Sequence, residues 1–321
     1  MAVFTAIASA IVGAIGISTA TILGSLTWAG LATSIVAGGL AMATAKVLGV
    51  FKPPNMTSAS DPGVKIQLPP ATDNKLPIFY GRNITGSIIV DAGIKNQNNT
   101  MVYATCISEK TDSGTYTVQK IYRDDAELVF SGASVTSVID PNSTSSTTVN
   151  GKMRCRVYAG GTAASNQIFP LSPQVAATTL LPTIDATTSY EDIVFAVFEM
   201  DYDPENGLTG LGAINFDIEN SLSEPSAVLQ DYLLNSRYGA GLSASDLDAT
   251  SFADLQAHSE EQVAYTTSLG AADTHERYRV DGMLGTYGNV KDNIDVLCQT
   301  CSSFFTYNPK LGKFAVVPNR A

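Results

Sequence analysis

Cys298 and Cys301 stand three residues apart, and with Cys106 and Cys155 they complete a set of four thiols. Four thiolates could ligate zinc or an iron–sulfur cluster. The pattern around the pair argues against that chemistry. Val290, Ile294, Leu297, Cys298 and Cys301 recur at the spacing of one helical face, and a free cysteine on such a face packs as a small hydrophobe. A second candidate is the stretch DYDPENG, where Asp201, Asp203 and Glu205 alternate like the oxygens of a calcium loop. Its glycine falls one place late and position 212 is Gly rather than the closing Glu, so a turn after a strand explains it as well. The same carboxylates lack a partner at a spacing fit for glycoside hydrolysis. YGRNITG and RYGAGL are glycine clusters without the strand–loop–helix context of a phosphate site. With two histidines, His258 and His275, triad chemistry has almost no material. The reading assigns no catalytic, cofactor-binding or metal-binding residue.

The chain has 321 residues and a net charge of −11. That length suffices for two or three packed units. Lys and Arg occur singly, which argues against specific nucleic-acid binding, since that needs clustered cations to displace counterions. Four cysteines are too few for a disulfide scaffold of this size. Four Asn-x-Ser/Thr sequons, at Asn55, Asn83, Asn98 and Asn142, arise easily in so Ser-, Thr- and Asn-rich a chain.

These residues must be positioned by elements of quite different character. No charge precedes Lys46, and of the first 45 residues 17 are bulky and apolar while 28 are Gly, Ala, Ser or Thr. The run is too long, and lacks the basic start, for a signal peptide. Composition predicts an apolar helical segment over 1–50, broken between Gly24 and Gly30, because one unbroken helix would reach about 68 Å. Small residues recur four apart at Gly16, Ala20 and Gly24, and again at Gly30, Ser34 and Gly38. That spacing lets helices approach closely; with Trp28, these are the expected contacts to a partner or a membrane. Five prolines in 51–75 mark an extended linker.

From 76 to 220 the signal is strand. KLPIFYG, GSIIVDAG, TMVYATCISEK, GTYTVQKIYRDD, GKMRCRVYAGG, DIVFAVFEMDYD and GAINFDIEN are short β-rich runs between turn residues. Helical periodicity takes over in 221–270. There Val228, Leu229, Tyr232 and Leu233 share a face, with Ser223 as the expected cap and Gly239 or Gly241 as the stop; Ser251 with Asp254 reads as a second cap. In 271–321 a helix capped by Asn289 lies between strands RYRVDGML and SSFFTYN, and NPKLGK turns the chain into FAVVP. The fold class is α+β: a β-rich body, a helical segment and a β-α-β-β unit, preceded by the apolar segment.

Several of these stretches together resemble the central tail hub, or tip attachment, protein of lambda-like long-tailed phages. They are KLPIFYGRNITGSIIV, YATCISEKTDSGTYTVQKIYRDDAEL, EPSAVLQDYLLNSRYGAGLSASDLD and RYRVDGMLGTYGNVKDNIDVLCQTCSSFFTYNPKLGKFAVVP. The resemblance covers roughly residues 75–321. It implies a structural virion protein at the distal end of the tail, built of β-rich hub domains and without catalysis of its own. It further implies a homotrimer that closes the tail tube, receives the tape-measure protein, anchors other tip proteins and opens for genome delivery. Family members continue into fibronectin-like and receptor-binding regions, so 271–321 is expected to run on into a longer protein. The apolar segment is expected to pack in the trimer centre or against the tape measure, and to enter the host membrane during infection. A membrane-inserted adhesin or pore subunit is the alternative, and a tail-associated cell-wall hydrolase a weaker one.

Overall fold

The computed structural model describes residues 21–23, 26–27, 75–96, 99–139, 146–160, 166–181, 190–268, 270–286 and 288–320. Within the first 60 residues, a unit of its own, β1 (Thr21–Leu23) and β2 (Leu26–Thr27) form a short antiparallel pair, with Thr21 opposite Thr27. Leu26 and Thr27 fall within the break expected between Gly24 and Gly30. The rest of the expected helical segment lies outside the described residues, including Gly16, Ala20, Gly24, Trp28, Gly30, Ser34 and Gly38. Among the described residues no helix is long and apolar enough to cross a membrane.

The second unit is built on one large sheet. Its strands are β3 (Ile78–Thr85), β4 (Ile88–Lys95), β5 (Thr100–Glu109), β6 (Tyr116–Arg123), β7 (Ala126–Ser131), β8 (Ser134–Ile139), β9 (Ser146–Thr148), β10 (Met153–Ala159), β11 (Gln167–Phe169), β12 (Ile193–Asp201) and β13 (Ile214–Asn220). Eight of them close into a barrel in the order β10-β12-β5-β3-β13-β6-β7-β8 and back to β10. Two joints of this circuit are narrow. Strands β3 and β5 meet in parallel at Ile78 and Glu109 alone, and β8 meets β10 at Ser134 and Arg154. Closure removes the open edges that a sheet this wide would otherwise present.

Strand β12 shows why the sequence folds this way. Its alternate residues Val194, Ala196, Phe198 and Met200 point into the barrel core, while Phe195 and Val197 point outward. There they meet Val102, Ala104 and Cys106 of β5 and a short helix, α1 (Ala177–Leu180), that covers the wall. A strand buried on both faces reads as the continuous apolar run IVFAVF rather than as alternation.

Strand β3 serves two cores in the same manner. Phe79 points into the barrel; Ile78 and Tyr80 point out into a helical layer. That layer comprises α2 (Pro225–Leu234), α3 (Ala249–Ser259) and α4 (Val290–Thr300). The helix starts differ in detail from the expected ones. Glu224, not Ser223, caps α2, accepting from the backbone N–H of Ser226 and Ala227, and Pro225 follows at the first helical position. Asn235, rather than a glycine, ends it. Asp248 caps α3, and Ser251 instead accepts from the Val316 amide at 3.1 Å. A reciprocal capping box does occur, at Ser243 and Asp246.

The expected β-α-β-β unit is divided between two sheets. Its first strand, β16 (Gly282–Leu284), pairs with β3 of the barrel sheet, whereas β17 (Ser303–Asn308) and β18 (Lys313–Pro318) form a hairpin of their own. Between α3 and β16 stands a hairpin that no apolar pattern announced, β14 (Gln262–Thr266) with β15 (Ala272–Glu276).

Candidate functional site

The residues first suspected of chemistry are engaged in structure. Cys298 and Cys301 are buried in the helical layer with Ile294 and Leu297, and Cys301 Sγ lies 3.0 Å from Ser303 Oγ. Burial, the largest effect, pushes the Cys298 thiol up to about 11, the opposite of what a ligating or redox thiolate needs. Cys106 and Cys155 are buried in the outer wall cluster and the barrel core respectively. Among the described residues no group of three or more His, Cys, Asp or Glu side chains is placed to hold a metal ion.

Asp201, Asp203 and Glu205 do not converge. Asp203 accepts from Lys152 at 2.6 Å and from Asn206 at 2.6 Å. Asp201 accepts from Thr100 at 2.6 Å and pairs with Arg154 at 3.1 Å. Glu205 lies on a 3₁₀ turn, Pro204–Asn206, which ends in left-handed Gly207. On the same outer wall Glu199 is buried under Arg156 at 2.9 Å, Arg154 at 3.6 Å and Lys95. Burial raises this carboxyl. The Lys95 hydrogen bond and charge, with the two arginines, more than offset the rise and hold it below its ordinary value.

The functional geometry that sequence reasoning missed lies where the barrel joins the helical layer. Tyr80 of β3 and Tyr238, just past α2, both donate to Oδ2 of Asp231, at 2.9 and 2.7 Å. Asn235 donates to Asp112 at 2.9 Å, while its own oxygen accepts from the amides of Arg237 and Tyr238 at 2.8 and 3.1 Å. Arg237 then reaches back to the barrel: it donates to Glu109 at 2.8 Å and to the Lys110 carbonyl at 2.7 Å, and pairs with Asp192 at 2.7 Å. Burial raises Asp231; the tyrosine hydrogen bonds pull it down, the Asp112 charge pushes it up, and the net direction is up.

Gly81 marks the tightest approach. Its φ is +63°, and a Cβ there would lie 2.1 Å from Oδ1 of Asp281 and 2.3 Å from the Val280 carbonyl. Its amide donates to the Leu222 carbonyl at 3.0 Å, and the next amide, of Arg82, donates to Asp281 at 2.7 Å. Val280 donates to the Ser223 carbonyl at 2.8 Å, and Asn293 of α4 donates to the Tyr232 hydroxyl at 2.8 Å. The arrangement offers no nucleophile beside a base; it can clamp and orient. The only sequence signal for it was indirect, a glycine in the strand run IFYG and the RYG triplet after a helix.

No protein-family model matches the chain, and no curated protein matches it. Among solved structures, the chain is similar to a chain of the virion of a native gene transfer agent particle, with 12% identity and a TM-score of 0.40. The match covers 94% of this chain, which spans 65% of that one.

Proposed function

We propose that this chain is a structural virion protein, the central hub at the distal tip of a phage-like tail, with no catalysis of its own. One observation supports the reading. The four stretches that resemble tail-hub proteins are separated in sequence by up to about two hundred positions, yet they meet at one junction. KLPIFYG supplies Tyr80 and Gly81, and YATCISEK with TDSG supplies Glu109 and Asp112. EPSAVLQDYLLNSRYGAG supplies Asp231, Asn235 and Arg237, and RYRVDG supplies Val280 and Asp281. A motif set held together for one shared structural purpose is what a hub core requires, since its barrel and helical layer must move as a body.

In this reading the protein is a homotrimeric ring closing the tail tube, in contact with the tape-measure protein, the distal tail and other tip components. Residues 1–45 pack through Gly16, Ala20, Gly24, Trp28, Gly30, Ser34 and Gly38 against their symmetry mates or the tape measure, and enter the host membrane as the tip opens. Native mass measurement of the purified protein, with electron microscopy of tail particles, tests the core of the proposal. A closed oligomer at one tail end is expected; a stable monomer absent from tails would sink it. Deleting residues 2–45 separates the parts: tail shape should persist while genome delivery is lost.

A further inference from the structure

The β17–β18 hairpin has two unlike faces. Residues two apart on a strand share a side. The inner row, Phe305 with Phe314 and Val316, packs on the helical layer, and the two rings stack 5.5 Å apart. The outer row sets Phe304 opposite Val317, Thr306 opposite Ala315 and Asn308 opposite Lys313. Ala315 is buried, yet Phe304 and Val317 are 64% and 50% exposed. An apolar cross-strand pair left in water gains by being covered.

The turn beyond that face is firmly built. The Asn308 carbonyl accepts the amides of Leu311 and Gly312 at 3.2 and 2.9 Å, and the Asn308 side chain accepts that of Lys310 at 3.1 Å. Leu311, 57% exposed, is thereby held between Lys310 and Lys313. Lys313 lies on the same strand face as Phe304 and Val317. Residues 296–318 contain no Asp or Glu, and among the described residues neither lysine has an ion-pair partner. Asp246 and Asp248, on either side of the Leu247 that bridges to Phe314, are taken up in caps at Ser243 and Thr250. A chain of net charge −11 thus presents one patch where two unpaired cations flank exposed Phe, Val and Leu side chains.

We propose that this face and turn dock on an anionic lipid surface, with Phe304, Leu311 and Val317 entering the headgroup layer and Lys310 and Lys313 meeting its phosphates and carboxylates. Charge complementarity selects the occupant, since lysines beside an anionic leaflet attract it while apolar neighbours bury area in it. Shape agrees. From Thr306 to Gly312 every residue but half-buried Asn308 is exposed, so the turn is convex and suits a plane better than an extended peptide, which needs a groove. The net charge of the chain opposes such a surface, but salt at physiological strength screens charges beyond about 8 Å, which confines the contact to a protruding patch. The inference does not depend on the tail-hub reading or on residues 1–45.

The test sediments the full chain with vesicles of phosphatidylcholine alone and of phosphatidylcholine with about one-third phosphatidylserine, the anionic lipid that the lysines require. The wild type should bind the anionic vesicles and bind the neutral ones at least tenfold more weakly. Lys310→Glu with Lys313→Glu should abolish that preference, and Phe304→Ser with Leu311→Ser should weaken anionic binding about tenfold. Circular dichroism and melting temperature verify folding; should the apolar pair fail to fold, the lysine pair decides alone. A wild type that ignores anionic vesicles overturns the proposal. Vesicle binding that the hairpin variants leave unchanged also overturns it, and leaves the membrane reading of residues 1–45 standing. If soluble polyglutamate binds as tightly as the anionic vesicles and competes with them, the occupant is an acidic protein surface and the lipid assignment is wrong.

Discussion

Two carboxylates, each drawn out of water, are handled in opposite ways. Glu199 on the barrel wall is surrounded by cations, with Lys95, Arg154 and Arg156 all in contact. Asp231 at the barrel–helix junction has neutral donors, Tyr80 and Tyr238, and a like charge nearby in Asp112. Cationic partners favour the ionised form, while burial with a neighbouring carboxylate favours the protonated one. The directions follow: Glu199 is held below its ordinary value and Asp231 above it. The wall therefore strengthens as its acid ionises and the junction as its acid takes up a proton.

The comparison presupposes that the end of α2 is fixed against the barrel, and Gly239 is the place to break it. A Cβ at this residue would lie 1.7 Å from the Tyr232 carbonyl oxygen and 2.8 Å from its carbon. Both are backbone atoms of α2, so no side-chain rotation relieves the clash. The following amides already bind that helix end, Ala240 to Tyr232 and Leu242 to Leu233, at 3.0 and 2.9 Å. Gly239→Ala should carry the largest penalty, on the order of 4 kcal/mol by the scale of severe single substitutions. Urea unfolding measures it; a loss within about 0.5 kcal/mol, the range of neutral surface changes, would mean that α2 is not held as described.

Next in size is Glu199→Ala. Removing one member of a buried ionic cluster leaves its cations without compensation, and such losses run at about 3 kcal/mol. The sign with pH is fixed by the depressed carboxyl. Its stabilisation is present above the unfolded value, near 4.5, and is lost as pH falls through the lower folded value. Glu199→Gln should accordingly remove part of the steep acid limb of the wild-type stability curve below pH 4.5. An acid limb identical in wild type and variant would transfer the cluster's importance to other pairs.

Much of this could be read in the chain beforehand, for identifiable reasons. All seven strand runs expected in 76–220 are strands, because β-branched and aromatic residues between turn residues signal a pleated surface locally. The buried face of α4 was visible in Ile294, Leu297 and Cys298, although Val290 of the same row is exposed. What escaped depends on partners distant in sequence. Strand β8, SVTSVI, is weakly apolar and belongs to the barrel through its pairing with β7 and the contact of Ser134 with Arg154. Strand β14 is held by its turn and its mate rather than by a core, so it carries no buried stripe. Tyr80 and Asp231 are 151 positions apart, and no periodicity within either element could join them. The IFYG glycine did hint at a close approach, but what approaches it, Asp281, comes from the far end of the chain.

The smallest effect is also the most discriminating. Asp231→Asn keeps a carbonyl oxygen for both tyrosine hydroxyls while removing the charge whose burial opposes folding. At neutral pH the two changes nearly cancel, to within about 1 kcal/mol, the net worth of an ordinary hydrogen bond. The dependence on pH is where the variant should part from the wild type. A carboxyl raised in the fold contributes stability that is fully present below its unfolded value, near 3.8, and is lost as pH rises through the folded value. The wild type should thus gain on the Asn variant as pH falls from 7 toward 3.8, against the general trend of acid destabilisation and opposite in sign to the Glu199→Gln comparison. Chemical denaturation of both proteins across that range gives the difference directly. A difference that stays constant with pH, or that moves in the variant's favour on acidification, would show that Asp231 is held ionised by its tyrosines, and the contrast between wall and junction would collapse.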